Sequence, residues 1–362
     1  MREPVWEYLI VNYLFLGGLS AGLFFVSALA TWLTNPVQGG PPVLTQASPG
    51  ASSASPLTPA EDSGQALLLS QNGEPAYPRI ARWGALLAPW PVSAGSALLI
   101  FDLGKPLRFW KLFIAFRWQS PMSIGSWLLV LFTLLSFAYL WAWLDPEERT
   151  RLMGRIPAKL LRRIPTRIVK WLEHDLAFWR RELAMMGFPM AVGVGIYTGV
   201  LLGAVQARPF WNTNLVAQMF LFSALSTGTA TLILVRLFDR KQPVALAEMR
   251  FLYTLDICLI LIEFFIVLPY LIHGRLSVLA VQDALHQILG GPFTFAFWGL
   301  FLGLGLLAPL LIELYEFKPV LLGRGQLHIS PRWATSAAGL VILGGYVLRY
   351  VFVFAGQASG FR

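Results

Sequence analysis

The chain has 362 residues, 56% of them hydrophobic and 13% charged, with a mean hydropathy of +0.61. Soluble domains carry about 25% charged residues, so a soluble enzyme is excluded and an integral membrane protein is expected. The net charge of +9 then reads as an orientation and anionic-lipid signal, and a nucleic-acid partner is not expected.

Runs of about 18 or more apolar residues define spans. They predict an all-α protein with eight transmembrane helices: Val5–Leu33, Ile80–Phe101, Ser123–Leu144, Leu183–Val205, Leu215–Leu237, Phe251–Ile272, Phe293–Ile312 and Trp333–Phe354. The first contains Ala28-Leu29-Ala30, which resembles a cleavage box, but its tail has one Arg against two Glu and its apolar run is too long for a signal peptide. It is expected to be a retained span. Pro89, Pro91 and Pro189 predict kinks in the second and fourth helices, where neighbouring helices satisfy the freed backbone groups.

With eight spans both termini share one side. That side holds 9 of the 28 Lys and Arg residues and the other side holds 19. The positive-inside rule makes the richer side cytoplasmic, so a multi-pass protein of the cytoplasmic (inner) membrane with both termini extracytoplasmic is expected. Two cytoplasmic loops differ in character. Residues 35–78 are rich in Pro, Ser, Gly and Ala and read as a disordered insertion. Residues 145–182 mix Arg and Lys with Trp171, Phe178 and Trp179, which suits a helix lying on the inner leaflet, against membrane lipid. The expected division is 1–212 for helices one to four and 213–362 for helices five to eight, as two four-helix bundles.

Polar residues cost free energy in a bilayer, so their placement is informative. Glu7, Tyr8, Asn12 and Tyr13 open the first helix, and the second ends in Asp102. Ser120-Pro121-Met122-Ser123 starts the third, and the fourth carries Tyr197 with Arg208 beyond its end. All four features converge on the outer side, which suggests an amphipathic pocket there. A quinone fits such a pocket: its carbonyls need hydrogen-bond partners, a proton donor or acceptor must be near, and its tail needs an apolar slot. Asn12, Tyr13, Tyr197, Ser123 and Arg208 are the candidate quinone-binding residues. Tyr197 and Asp102 are the candidate catalytic pair, with Asp102 handling the proton. The competing reading makes Tyr13 and Tyr197 interfacial belt residues, Asp102 a partner of Lys105 or Arg108, and Arg208 a helix-end anchor.

One cysteine, Cys258, cannot hold an iron–sulfur cluster, and of four histidines only His273 lies close to an apolar run. No haem and no iron–sulfur cluster is therefore expected in this chain.

Three blocks resemble the NrfD family, the quinone-binding membrane subunits of polysulfide reductase and related complexes. They are Gly17-Gly18-Leu19-Ser20-Ala21-Gly22, the stretch from Asp102-Leu103-Gly104-Lys105-Pro106 to Ser120-Pro121-Met122-Ser123, and Tyr197-Thr198-Gly199 followed by Arg208-Pro209-Phe210-Trp211-Asn212. The resemblance implies a quinol site between helices one to four near the outer face, with menaquinone the favoured quinone. It also implies a docked extracytoplasmic ferredoxin-like iron–sulfur subunit, with a molybdopterin or multihaem catalytic subunit beyond it. By position Tyr197 looks like the family's quinone-contacting tyrosine. Tyr13, with Asn12 adjacent, stands where the polysulfide reductase subunit has a histidine. The chain is thus expected to be the quinone-reactive subunit of a multi-subunit oxidoreductase of anaerobic respiration. Lys105, Arg108, Lys111, Arg117 and Arg208 form the expected docking face for the iron–sulfur partner.

Leu19-Ser20-Ala21-Gly22 and Leu225-Ser226-Thr227-Gly228 suggest a parallel repeat of helices one and five. In helix six, Asp256, Glu263 and Tyr270 recur every seven residues on one face, and His273 follows. Asp256, Glu263 and His273 are a possible proton pathway; the alternative is structural pairing of the carboxylates with Arg236, Arg250 or Arg349. Buried carboxylates also keep a secondary transporter open as a rival function, and a purely structural membrane anchor is a third.

Overall fold

The computed structural model describes residues 8–33, 77–102, 114, 119–155, 176–205, 207–239, 245–322 and 329–359. Among them are eight helices long and apolar enough to cross a membrane. We number these α1 (Tyr8–Trp32), α2 (Pro78–Leu87 continuing as Pro89–Asp102), α3 (Pro121–Trp143), α4 (Arg180–Gly203), α5 (Asn214–Phe238), α6 (Leu246–Leu276), α7 (Phe295–Leu307 continuing as Ala308–Leu321) and α8 (Pro331–Ala358). The chain is all-α and multi-pass, as the apolar runs predict. Large apolar side chains such as Phe265, Leu268, Phe295 and Leu311 remain exposed around the bundle. In a membrane protein they face lipid, which costs nothing there.

Alternating directions place the start of α1 and the end of α8 on one face, here called the terminal face, together with the ends of α2, α4 and α6 and the starts of α3, α5 and α7. The other face carries a short surface helix, Pro146–Arg155. Arg82 fixes that helix by pairing with Asp145 at 2.9 Å and Glu148 at 2.8 Å. This helix is the described part of the amphipathic loop expected at 145–182; residues 156–175 lie outside the described residues. So do nearly all of the 35–78 insertion, both chain ends, and Lys105, Arg108, Lys111 and Arg117.

Helix α1 is central, packing against α2, α4, α5 and α8. Its closest approach is to α5, where Gly22 meets Gly228: a Cβ built on Gly228 would lie 2.6 Å from the Gly22 Cα. The two Leu-Ser-x-Gly blocks therefore meet each other.

Helix α2 breaks at Ala88, just before Pro89. Its carbonyls find donors on α1, with Ser20 Oγ bonding the Ala88 oxygen and Ser27 Oγ the Ala81 oxygen, both at 2.5 Å. These bonds tie α2 to α1 at the break and two turns before it. Pro189 is instead accommodated within a continuous α4.

Two helices are longer than their apolar runs. α6 begins at Leu246, because Glu248 is neutralised by Arg236, whose Nη2 lies 2.8 Å from its carboxylate. α7 extends to Leu321 with Glu313 and Glu316 buried inside the protein. A hydropathy count stops at a charge, whereas a folded bundle can pair it. The first half of α7, Phe295–Leu307, is wound as a π-helix.

Candidate functional site

Tyr13 lies five residues into α1 and Tyr197 six residues before the end of α4. At 1.5 Å per residue both sit about 8–9 Å below the terminal face. Their phenols face each other across the α1–α4 contact. Tyr13 is 1% and Tyr197 7% exposed. The approach is close enough to interact, yet the buried Tyr13 hydroxyl has no well-formed hydrogen bond among the described residues. An orphaned buried hydroxyl costs about 1–3 kcal/mol, and such a group is a ready donor for a ligand carbonyl.

Room for the Tyr197 ring comes from α3. Gly125 lies flat against it, and a Cβ there would overlap the ring and its hydroxyl. Ser120 caps α3, accepting from the Ser123 amide at 3.4 Å, with Pro121 pre-set for the first turn. The Ser-Pro-Met-Ser block thus sets where α3 begins, and Gly125 then falls opposite Tyr197. Ser123 is buried two residues away, its carbonyl accepting from Ser126 at 2.9 Å.

The other candidates divide. Asn12 points to α8, where its Oδ1 accepts from the Tyr346 hydroxyl at 3.1 Å, so neighbouring Asn12 and Tyr13 serve opposite sides of α1. Arg208 donates through Nη1 to the Gln357 carbonyl at 2.5 Å and holds the end of α8. Trp211 of the same block donates Nε1–H to the Phe352 carbonyl at 2.6 Å and packs on Gly356. This Arg-Pro-Phe-Trp segment therefore fastens α8 to the α4–α5 turn, the helix-end anchoring that the competing reading gave Arg208. Trp211→Phe should keep an aromatic ring but lose the bond and part of the indole packing on Gly356, at a cost of at least about 1–3 kcal/mol, read as a lowered thermal midpoint of the detergent-solubilised protein. Asp102 ends α2 at the terminal face; its side chain lies outside the described residues.

A second polar cluster lies in α5 to α8. Arg349 on α8 is fully buried and donates to Ser223 Oγ at 2.9 Å, to the Gly345 carbonyl at 2.6 Å and to the Phe220 carbonyl at 3.3 Å. It packs on Gly18 of α1, where a Cβ would come within 2.9 Å of its Nη2. Glu263 faces Arg349 and Ser223. Asp256 has no arginine beside it among the described residues: it accepts from Ser226 at 2.6 Å and faces Glu313 of α7. Arg236 is committed to Glu248 and Asp239, and Arg250 is exposed.

His273 is exposed at the end of α6, ten residues or about 15 Å from Glu263, and does not join the carboxylates. Tyr253, Glu313 and Glu316 do join them and escaped sequence reasoning. The signal that could have found them is the spacing of Glu313 and Glu316, three apart on one helical face at the end of an apolar run.

Comparison with known proteins points the same way. The family model described as "NrfD: Polysulphide reductase, NrfD" matches residues 65–359. The protein is 29% identical to a polysulfide reductase chain of Wolinella succinogenes over 98% of its own length and 94% of that protein. It is 27% identical to protein NrfD of Escherichia coli over 98% of its own length and 96% of that protein. A selenate reductase subunit of Mesobacillus selenatarsenatis is 30% identical over 70% of the present sequence and 62% of that protein.

Proposed function

The chain belongs to the NrfD family of polysulfide-reductase-like membrane subunits, and from that premise we propose that it exchanges electrons between the membrane quinone pool and an extracytoplasmic iron–sulfur subunit. The observation that carries this reading is the facing pair Tyr13 and Tyr197, buried near the terminal face with the Tyr13 hydroxyl unpartnered among the described residues. A quinone, menaquinone being favoured, supplies two-electron, two-proton chemistry when bound. Tyr13 and Tyr197 would donate to its carbonyls, and the quinone would approach from the lipid beside α3. Ser123 lines the same end of α3. Asp102, at the end of α2, would pass protons to the aqueous phase. Asn12 and Arg208 act indirectly in this reading, by fixing α1 and α8.

In the same reading helices α1–α4 and α5–α8 are two four-helix halves, 1–212 and 213–362, related through the Gly22–Gly228 contact. A ferredoxin-like iron–sulfur subunit docks on the terminal face, outside the cell membrane, with a molybdopterin or multihaem catalytic subunit beyond it. Electron transfer needs the nearest cluster close to the quinone, and a site about 8–9 Å below that face meets this demand.

Two experiments test the reading. Lipid extracted from the purified complex should contain quinone, depleted in a Tyr13→Phe/Tyr197→Phe double variant; a complex devoid of quinone would leave a structural anchor. For orientation, a membrane-impermeant thiol reagent should reach an Arg362→Cys variant in intact cells and fail to reach Arg151→Cys, on the exposed side of the Pro146–Arg155 helix. Reversed labelling would place the tyrosine pair at the inner face and remove the extracytoplasmic partner.

A further inference from the structure

The carboxylates of α6 and α7 are arranged for a purpose that quinone chemistry does not use. Asp256 is fully buried and Glu313 is 1% exposed. Each has one oxygen, Oδ2 of Asp256 and Oε2 of Glu313, without a protein donor among the described residues, and the two carboxyl groups face each other. Two carboxylates have no hydrogen to share, so this contact can form only when the pair holds a proton. Ser226 of α5 donates to the other Asp256 oxygen at 2.6 Å.

Beside the pair, polar groups run toward the face carrying Pro146–Arg155. Tyr253, one turn before Asp256, donates to Glu316 Oε2 at 2.5 Å. The other Glu316 oxygen accepts from the Ser330 amide at 2.9 Å, at the start of α8. An open cleft at that end is lined by Tyr315, Glu316, Lys318, Ser330 and Trp333. In the other direction stand Glu263 and then the Arg349 guanidinium, flanked by the rings of Phe15 and Phe220 at 5.8 and 5.4 Å. From Tyr253 to Glu263 the track rises about 15 Å, half of a hydrocarbon core of about 30 Å. A buried cation at its inner end opposes passage of a further positive charge.

We propose that Asp256 and Glu313 form a proton-binding dyad that exchanges with the aqueous phase at the face carrying Pro146–Arg155, by way of Tyr253 and Glu316, and that Arg349 closes the track toward α1. Loading takes one proton from water at the cleft, and the dyad passes from two negative charges to one; unloading returns that proton by the same route. The charged and titratable groups around it are Glu263 and Tyr253 on α6, Glu316 on α7 and Arg349 on α8, with Ser226 alone on α5. This inference goes beyond the quinone reading and stands without it.

The test is infrared difference spectroscopy of the full chain in its complex, reconstituted in liposomes, with no quinone added. The wild type should show the carbonyl stretch of a buried protonated carboxyl group. Asp256→Asn and Glu313→Gln, which keep size and hydrogen bonding, should each remove it; two variants protect the reading if one fails to fold. Glu263→Gln should retain it. Glu316→Gln and Tyr253→Phe should retain it but slow its deuterium exchange by at least about tenfold. Persistence of the band in both dyad variants, its loss in Glu263→Gln, or unchanged exchange in both relay variants would each overturn the proposal. Quinone content of the same preparations is scored separately, so failure of one reading is distinct from failure of the other.

Discussion

Tyr197→Phe is expected to lower quinone-linked turnover of the assembled complex by about 10- to 100-fold while leaving thermal stability nearly unchanged. The substitution keeps the ring that packs against Gly125 and removes the hydroxyl that faces Tyr13. A positioned hydrogen-bonding or proton-transferring group contributes at least this much when it acts on the reacting molecule, whereas an interfacial belt residue contributes packing that phenylalanine preserves. Tyr13→Phe should behave alike, and the double variant should lose less than the product of the two single losses, because the hydroxyls serve one ligand. Tyr346→Phe is the internal control: it breaks the bond to Asn12 on the other side of α1 and should leave turnover within about twofold of wild type. Unchanged turnover and quinone affinity in both Tyr197→Phe and Tyr13→Phe would return the pair to the aromatic belt.

What the sequence made legible follows from which interactions are local. A span is announced by its own run of apolar residues, so all eight were visible, and so was the grouping of Tyr13, Ser123 and Tyr197 near one face. Partner choice is not local. Asn12 and Tyr13 are adjacent in sequence but point to α8 and α4, because successive residues on a helix diverge by about 100°. Arg208 reads as a ligand or a helix-end anchor, and the carbonyl it meets on α8 lies 149 residues away. The stripe of Asp256 and Glu263 was readable from its spacing, but the group opposite Asp256 is Glu313, more than fifty residues away on α7. No periodicity within one helix could name it.

Gly228→Leu is expected to abolish the folded protein, and Gly22→Leu to do the same. At this crossing the backbones of α1 and α5 touch: a Cβ on Gly228 would lie 2.6 Å from both the Gly22 Cα and the Leu23 amide nitrogen, and the neighbour is main chain, which has no rotamer to change. Overpacking a well-filled core typically costs about 1–3 kcal/mol, and here the only relief is to push the two helices apart. Membrane helices gain little from hydrophobic contact with each other and rely on such close approach, so the separation forfeits packing along the whole of α1. It would also carry Tyr13 away from Tyr197 and Gly18 away from Arg349, since α1 holds both. Gly228→Ala should be intermediate, with a lowered thermal midpoint and reduced quinone content, and Gly339→Leu, where a Cβ meets nothing within 4 Å, should be neutral. The measurement is the yield and melting of a monodisperse peak in size-exclusion chromatography. A stable Gly228→Leu protein with normal quinone content would mean that α1 and α5 do not need this contact, and that the two Leu-Ser-x-Gly blocks meet without organising the fold.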